Sequence, residues 1–398
     1  MSDLILVLNA GSSSIKFEVF EGSALRLLWL GQMEGIGAAP HLLVRDAARR
    51  SLADRRWTTD DAPGDHAAAL GIIMDWLKGV MTGRRVSSIG HRVVHGGPDF
   101  AAPVVITAAV LRRLEALVAL APLHQPHNLA GIRAAMEHFP GVPQVACFDT
   151  AFHRGHPWEA DSFALPVEFY DRGIRRYGFH GLSYEYIARR LAAEDPALGR
   201  GRLVVAHLGN GASLCAIRDG RSLDSTMGFT ALDGVPMGTR CGQIDPGVVL
   251  HLMQAEGMTP AEVARLLYKE SGLKGLSGLS QDVRDLEASD RPEASRALSY
   301  FAWRVRREIG GMAAVLGGLD ALVFTAGIGE NAAGLRARIC DGLGFLGISL
   351  DPQRNARGAA EISATATAVK VLVRHTDEER MIAEHVLATL AAGHAAAA

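Results

Sequence analysis

The sequence predicts an α/β fold built on a duplicated domain, and three observations carry that prediction. Strand-like and helix-like segments alternate along the whole chain. Two hairpins of one build, Leu4–Phe20 and Arg202–Arg218, stand near the start of each half. The chain has 398 residues and 48% apolar content, enough for two sizeable cores.

In the first hairpin an apolar run, Leu4 to Leu8, ends at Asn9. A small polar turn follows (Ala10, Gly11, Ser12, Ser13, Ser14). Ile15, Phe17 and Val19 then alternate with Lys16, Glu18 and Phe20, so a second strand follows the turn. The backbone N–H groups and hydroxyls of such a turn can cradle phosphate oxygens, and the Lys16 ammonium neutralises charge. The chain has five lysines against 36 arginines, so a lysine at this point is selective. An ordinary serine turn is the alternative for this segment alone.

Further on, Val105–Pro122 holds a helix that Pro122 helps to end. Val142–Asp149 is a strand finishing on an acid, and Leu182–Ala193 is a helix. In the second hairpin Leu203–His207 meets the turn Gly209-Asn210-Gly211, which tolerates positive φ. Leu214–Ile217 returns from it. Glu293–Leu316 is a long helix with Leu298, Ala302, Val305 and Ile309 on one face. Ala321–Asn331 runs from a buried-type strand into Gly327-Ile328-Gly329, a strand-to-helix phosphate turn. Thr376 opens a closing helix, with Glu379 completing a capping-box pattern and Ile382, Val386 and Leu390 on one face. The boundary between halves falls near Asp149–His156, and the closing helix can return to the first half.

Net charge is −2 and dispersed, with no basic stripe for nucleic acid and no like-charge tail. No apolar run approaches a membrane span, and the N-terminus lacks the marks of a signal peptide. Cys147, Cys215, Cys241 and Cys340 are far apart and read as reduced thiols of a cytosolic protein.

Several blocks carry chemistry. In GHRVVHGG (Gly90 to Gly97) the two histidines would chelate on a helix. The paired valines argue for a strand, where four residues span about 13 Å and exclude a shared ion. Arg92 is the better candidate, its planar fork suiting a carboxylate or phosphoryl group. Asp149 ends an apolar strand, where ligands of open α/β sheets bind. His180 lies in a Gly-flanked loop before a helix, placed to stabilise a transferring phosphoryl group. Asp224–Gly247 has 24 residues with five glycines, reading as a long, mobile functional loop that carries Arg240. Two arginines, an aspartate, a histidine, a lysine and a magnesium-competent Asn/Glu pair form a set suited to phosphoryl transfer. P-loop, Rossmann, serine-hydrolase and protein-kinase motifs are all absent.

Taken together, NAGSSSIK, GHRVVHGG, FDTAFH, YGFHGLS, HLGNGAS, MGTRCGQIDP, GIGEN and TDEE resemble the acetate kinase family, in that family's order and from Val7 to Glu379. The resemblance implies two duplicated actin-like (ribonuclease H-like) domains with mixed sheets flanked by helices and a cleft between them. It assigns residues 1–149 plus 378–398 to an N-terminal domain. Residues 150–377 form a C-terminal nucleotide-binding and dimerisation domain. It implies a cytoplasmic homodimer that exchanges phosphoryl between ATP and acetate, with Mg2+ or alternatively Mn2+, and without nucleic acid or membrane partners. By position, Asn9 and Glu378 match the metal site and Lys16 the ATP phosphates. Arg92 and Arg240 match the arginines that hold carboxylate and phosphoryl, Asp149 the proposed proton carrier, and His180 the transition-state histidine. His207, Leu208, Gly209, Asn210 and Gly211 match nucleotide-binding segments. So do Asp282, Val283 and Arg284, and Gly327, Ile328, Gly329, Glu330 and Asn331. The acid's pocket matches Val94, Leu123, Phe179 and Ala231.

Two positions depart from the family pattern. Ala231 stands where acetate-preferring members carry proline, which widens the pocket and leaves propionate open. Asp377 replaces an asparagine and adds a carboxylate. A carboxylate nucleophile is ionised at neutral pH, so Asp149 is expected to orient Arg92 or a water rather than move a proton. The rival readings are a kinase of propionate or another short acid, a non-catalytic actin-like nucleotide clamp, and a pyrophosphate-dependent enzyme.

Overall fold

Each of the two predicted hairpins seeds a sheet. The computed structural model describes residues 3–11, 14–58, 62–81, 83–122 and 124–397, so Ser12, Ser13 and Leu123 lie outside the described residues. Two units emerge, one comprising Met1–Ala151 with Asp377–Ala398 and the other Phe152–Thr376.

The first unit contains β1 (Asp3–Ala10), β2 (Ser14–Glu21), β3 (Arg26–Glu34), β4 (His41–Asp46), β5 (Ser51–Arg56), β6 (Arg85–Val93), β7 (Val104–Val105) and β8 (Gln144–Phe148). They lie side by side in the order β5-β4-β3-β2-β1-β6-β8-β7. The second unit contains β9 (Arg202–Leu208), β10 (Ala212–Arg218), β11 (Arg221–Ser225), β12 (Ala321–Thr325) and β13 (Lys370–Val373), ordered β11-β10-β9-β12-β13. The inner five strands of the first sheet repeat the whole of the second. In both, an antiparallel meander lies on one side of the founding strand and two parallel strands lie on the other. This repeat is the duplication that the hairpins announce.

The patterns follow from burial. β1 is covered on both faces, so it reads as a continuous apolar run. β2 alternates, with Ile15, Phe17 and Val19 buried and Lys16 exposed. One face of the first sheet packs Leu6, Leu8 and Phe17 with Ile73, Met74 and Leu77 of α1 (His66–Val80). In the second unit Val205, Cys215 and Ile217 pack with Tyr184, Ile187 and Leu191 of the helix Gly181–Glu194.

Three details differ from the sequence reading. The helix α2 (Ala108–Ala116) tightens into a 3-10 turn at Leu117–Leu120. Ala121, which precedes Pro122, leaves the helical region at φ −141°, as the proline ring requires. The closing helix Glu378–Ala397 is capped by Asp377, whose Oδ1 accepts from the Arg380 N–H at 2.8 Å. The expected Thr376/Glu379 box does not form. The Thr376 hydroxyl instead donates to Ser183, and Glu379 accepts from Asn9. The segment after β11 is pinned rather than loose. Gly238 N–H donates to Asn210 O, Gln243 N–H to Gly234 O, and Arg176 binds Asp233 and the carbonyls of Ser225 and Thr226.

The closing helix belongs to the first unit, and its apolar face lies on β6. A Cβ at Gly90 would fall 2.4 Å from Ile382 and 2.8 Å from Val386. Only glycine lets the backbones approach this closely. Gly90→Ala should therefore destabilise the protein by about 1–3 kcal/mol through overpacking, read as a lower denaturation midpoint.

Candidate active site

Three chemistry-bearing residues of the first unit sit at the C-terminal ends of neighbouring parallel strands. Asn9 is near the end of β1, Arg92 near the end of β6, and Asp149 immediately follows β8. Adjacent strands lie about 4.8 Å apart, so side chains from their ends meet.

They do meet. Arg92 Nε donates to Asp149 Oδ1 at 3.0 Å and Nη2 to Oδ2 at 2.6 Å, a two-point ion pair. Arg92 Nη1 donates to Asn9 Oδ1 at 3.2 Å, and Asn9 Nδ2 donates to Glu379 at 3.1 Å. Glu378 lies 3.7 Å from Arg92 Nε. Asp149 is only 2% exposed, while Arg92 reaches solvent with 21% of its side chain. Burial works against the Arg92 charge, but Asp149 and Glu378 overcome it and hold the guanidinium above its ordinary pKa. Burial pushes Glu378 up to about 7, with Asp149 and Glu379 adding repulsion against the pull of Arg92 and Lys16. Among the described residues no three carboxylates, imidazoles or thiols converge to chelate an ion outright.

Lys16 stands directly across from Asn9 in the β1–β2 register, and its side chain leaves the buried face. Glu18, two residues on, shares that face. Burial pushes its carboxyl up to about 8, and Glu379 and Asp377 reinforce the shift.

Two residues that the sequence reading passed over fix this cluster. Asn128 of α3 (Gln125–His138) accepts from the Val94 N–H at 2.9 Å and donates to Ala10 O at 2.7 Å. It therefore ties the phosphate-type turn to the Arg92 strand. His66 bonds Gly11 O at 2.6 Å. Their only sequence signal is a polar side chain at a buried helical position.

In the second unit the turn after β9 gathers the rest. The His180 and His207 rings stack with centroids 4.2 Å apart. His180 Nδ1 pairs with Ser213 Oγ at 2.8 Å, and His207 Nδ1 with Ser183 Oγ at 2.8 Å. A Cβ at Gly211 would lie 3.1 Å from Arg240 Nη2 and 3.4 Å from His180 Nε2, so both groups close over that glycine. Arg240 Nη1 donates to the Ala231 carbonyl at 2.7 Å. Among the described residues no carboxylate pairs with Arg240, and burial pulls its pKa down. Arg92 is thus neutralised by carboxylates, whereas Arg240 carries its charge largely uncompensated. His180 itself takes φ +58°, a left-handed conformation that a residue with a Cβ adopts at a cost of roughly 1–3 kcal/mol.

The remaining residues are placed more simply. Phe179, Leu208 and Val283 are buried. Asp282 caps the helix Val283–Glu287 and pairs with Arg284. Gly327–Asn331 lies in the short helix Ala326–Asn331 directly after β12, in which Asn331 donates to Gly327 O and Glu330 pairs with His375.

Chemically, each cluster suits an anion. The hydrogen bonds of Arg92 to Asp149 and Asn9 use three of its five N–H groups, leaving two for an incoming oxygen.

Residues 4–384 match the model of the acetokinase family. An acetate kinase of Nitrobacter hamburgensis is 55% identical over 394 residues, covering 98% of this chain and 96% of that protein. The crystal structure of Porphyromonas gingivalis acetate kinase superposes with a TM-score of 0.86 at 37% identity, covering 98% of this chain and 100% of that one. A propionate kinase from Francisella tularensis gives 0.89 at 36% identity, covering 97% of this chain and 99% of that one.

The buried Glu18 carboxyl yields a test with a definite sign. Its folded pKa lies above the unfolded value, so ionisation disfavours the folded state progressively from about pH 4.5 to pH 8. Glu18→Gln should raise the melting temperature by about 2 °C or more at pH 8 and change it much less at pH 5.

Proposed function

The chain belongs to the acetokinase family, and on that premise we propose that it transfers the γ-phosphoryl group of ATP to acetate, reversibly, giving acetyl phosphate and ADP. The observation that carries this reading is Arg92, locked by a buried carboxylate along one edge with two N–H groups to spare. Those groups hold the acetate carboxylate. One carboxylate oxygen attacks the γ-phosphorus in line as the bond to the β,γ-bridging oxygen breaks.

Acetate is already ionised at neutral pH, so no proton need be removed. Asp149 therefore orients Arg92. Arg240 and His180 stabilise the charge that spreads over the three equatorial oxygens, where fixed donors act most strongly. Lys16 neutralises the phosphates. Residues 207–211, 282–284 and 327–331 serve the nucleotide.

Asn9 and Glu378 would hold Mg2+, with Mn2+ as the alternative, through the ion's water shell, because magnesium keeps several waters. The oxygen-only donor set and the mutual repulsion around Glu378 fit such a cation. When bound, the ion supplies charge neutralisation at the β- and γ-phosphates. A homodimer working in the cytoplasm completes the proposal. The family resemblance supports the dimer, and four free cysteines fit a reducing compartment.

Propionate is the second acid to consider, because Ala231 is small and the Francisella relative is named for it. In this reading the family resemblance assigns the alkyl group to Val94, Leu123, Phe179 and Ala231, of which Leu123 lies outside the described residues. Ala231→Pro should shift the ratio of kcat/KM for acetate over propionate toward acetate by about tenfold, since one methylene is worth roughly 1–3 kcal/mol. An unchanged ratio would remove Ala231 from the pocket. Arg240→Ala should lower kcat by about 10³–10⁵, as charge-stabilising arginines do in related transfers. A hydroxamate assay for acyl phosphate reads both.

A further inference from the structure

We infer that His153 is a positioning residue for His180, acting through the carbonyl of Phe179. The inference rests on the reading that His180 serves phosphoryl transfer. His153 lies in the FDTAFH block, is fully buried, and has no part in the chemistry described above.

The His180 loop is held almost atom by atom. Arg154 Nη2 donates to the carbonyls of Arg176 at 3.1 Å and Tyr177 at 2.8 Å. The Tyr177 and Gly178 N–H groups both reach Gly228 O. The next carbonyl to be held is that of Phe179, which pairs with His153 Nε2 at 3.0 Å. That carbonyl belongs to the peptide plane that leads into His180. Since His180 sits at φ +58°, the tilt of this plane sets where the imidazole points over Gly211.

The His153 ring touches the loop directly. A Cβ at Gly178 (φ +73°) would lie 2.6 Å from it. Its tautomer is fixed by two hydrogen bonds. Nε2–H donates to Phe179 O, so Nδ1 accepts from Ser222 Oγ at 2.8 Å. Ser222 Oγ in turn pairs with His156 Nε2 at 2.6 Å. Burial keeps His153 neutral, its pKa pulled down to about 4, so this donor–acceptor pattern persists at neutral pH. His156, Ser222 and His153 thus form a chain that ends on the Phe179 carbonyl, in the peptide that leads into His180.

Two variants separate this role from general packing. In His153→Gln the side-chain amide falls near the imidazole Nε2 and keeps the bond to Phe179 O. In His153→Asn the amide falls near Nδ1 and leaves that carbonyl without its donor. His153→Asn should lower kcat by about tenfold or more with KM for ATP and acetate within threefold, because small misplacements cost rate rather than binding. His153→Gln should stay within about threefold of the parent. In a His180→Ala background His153→Asn should add less than about twofold, the non-additivity of two residues acting as one. Multiplicative losses, or an unchanged kcat in His153→Asn, would overturn the inference. A loss of less than tenfold in His180→Ala alone would instead overturn the reading of His180. Should His153→Asn not fold, Ser222→Ala carries the same cycle, with a loss of about threefold that vanishes in the His180→Ala background.

Discussion

The two-point ion pair between Arg92 and Asp149 is the constraint on which the polar cluster of the first unit depends. Both groups come from ends of adjacent parallel strands, and the acid is sealed from solvent. Removing one partner of a buried pair costs about 3–5 kcal/mol, because the other charge is left uncompensated. The pair therefore fixes the guanidinium in one plane. Asn9 is set by it on one side and by Glu379 on the other. Asn128 then carries the same registration to the phosphate-type turn and to Val94. The remaining Arg92 donors are thereby held in place without reorganisation, the condition under which electrostatic stabilisation is strongest.

The cluster in the second unit works by the opposite device. Arg240 has a backbone carbonyl for a partner and no carboxylate among the described residues, so its charge remains available to an incoming anion. His180 accepts a strained backbone in order to bring its ring beside Arg240 over Gly211, where the absence of a Cβ makes room. Strain of this kind persists only where the surroundings over-determine it. The hydrogen bonds donated by Arg154 and His153, with those that the Gly228 carbonyl accepts, are that over-determination. The first unit thus carries a neutralised, oriented arginine, and the second unit carries one that no described carboxylate pairs.

Much of this was legible in the sequence, and the reasons are physical. The two hairpins were readable because β2 alternates by burial and β9 and β10 flank a Gly-Asn-Gly turn. The strand-end places of Asn9, Arg92 and Asp149 were readable because an apolar run stops at or near each of them, and strand ends are where α/β sheets present polar side chains. What escaped is what depends on tertiary pairing. Asn128 and His66 show only a polar side chain at a buried helical position and Ser213 shows less, since each matters only for the backbone or ring it reaches from another element. The Thr376/Glu379 cap failed for the same reason, because both side chains are claimed by distant partners. The segment after β11 read as mobile from its glycines, although Asp233, Asn210 and Gly234 hold it.

The central claim is that Asp149 acts by holding Arg92 rather than by moving a proton. It is tested most directly by kcat/KM for acetate in Arg92→Ala, Asp149→Asn and the double variant. The account predicts that the double variant is no slower than Arg92→Ala alone, within about threefold, because an orienting residue has nothing left to orient. Losses that multiply would show that Asp149 contributes to the reaction independently of Arg92.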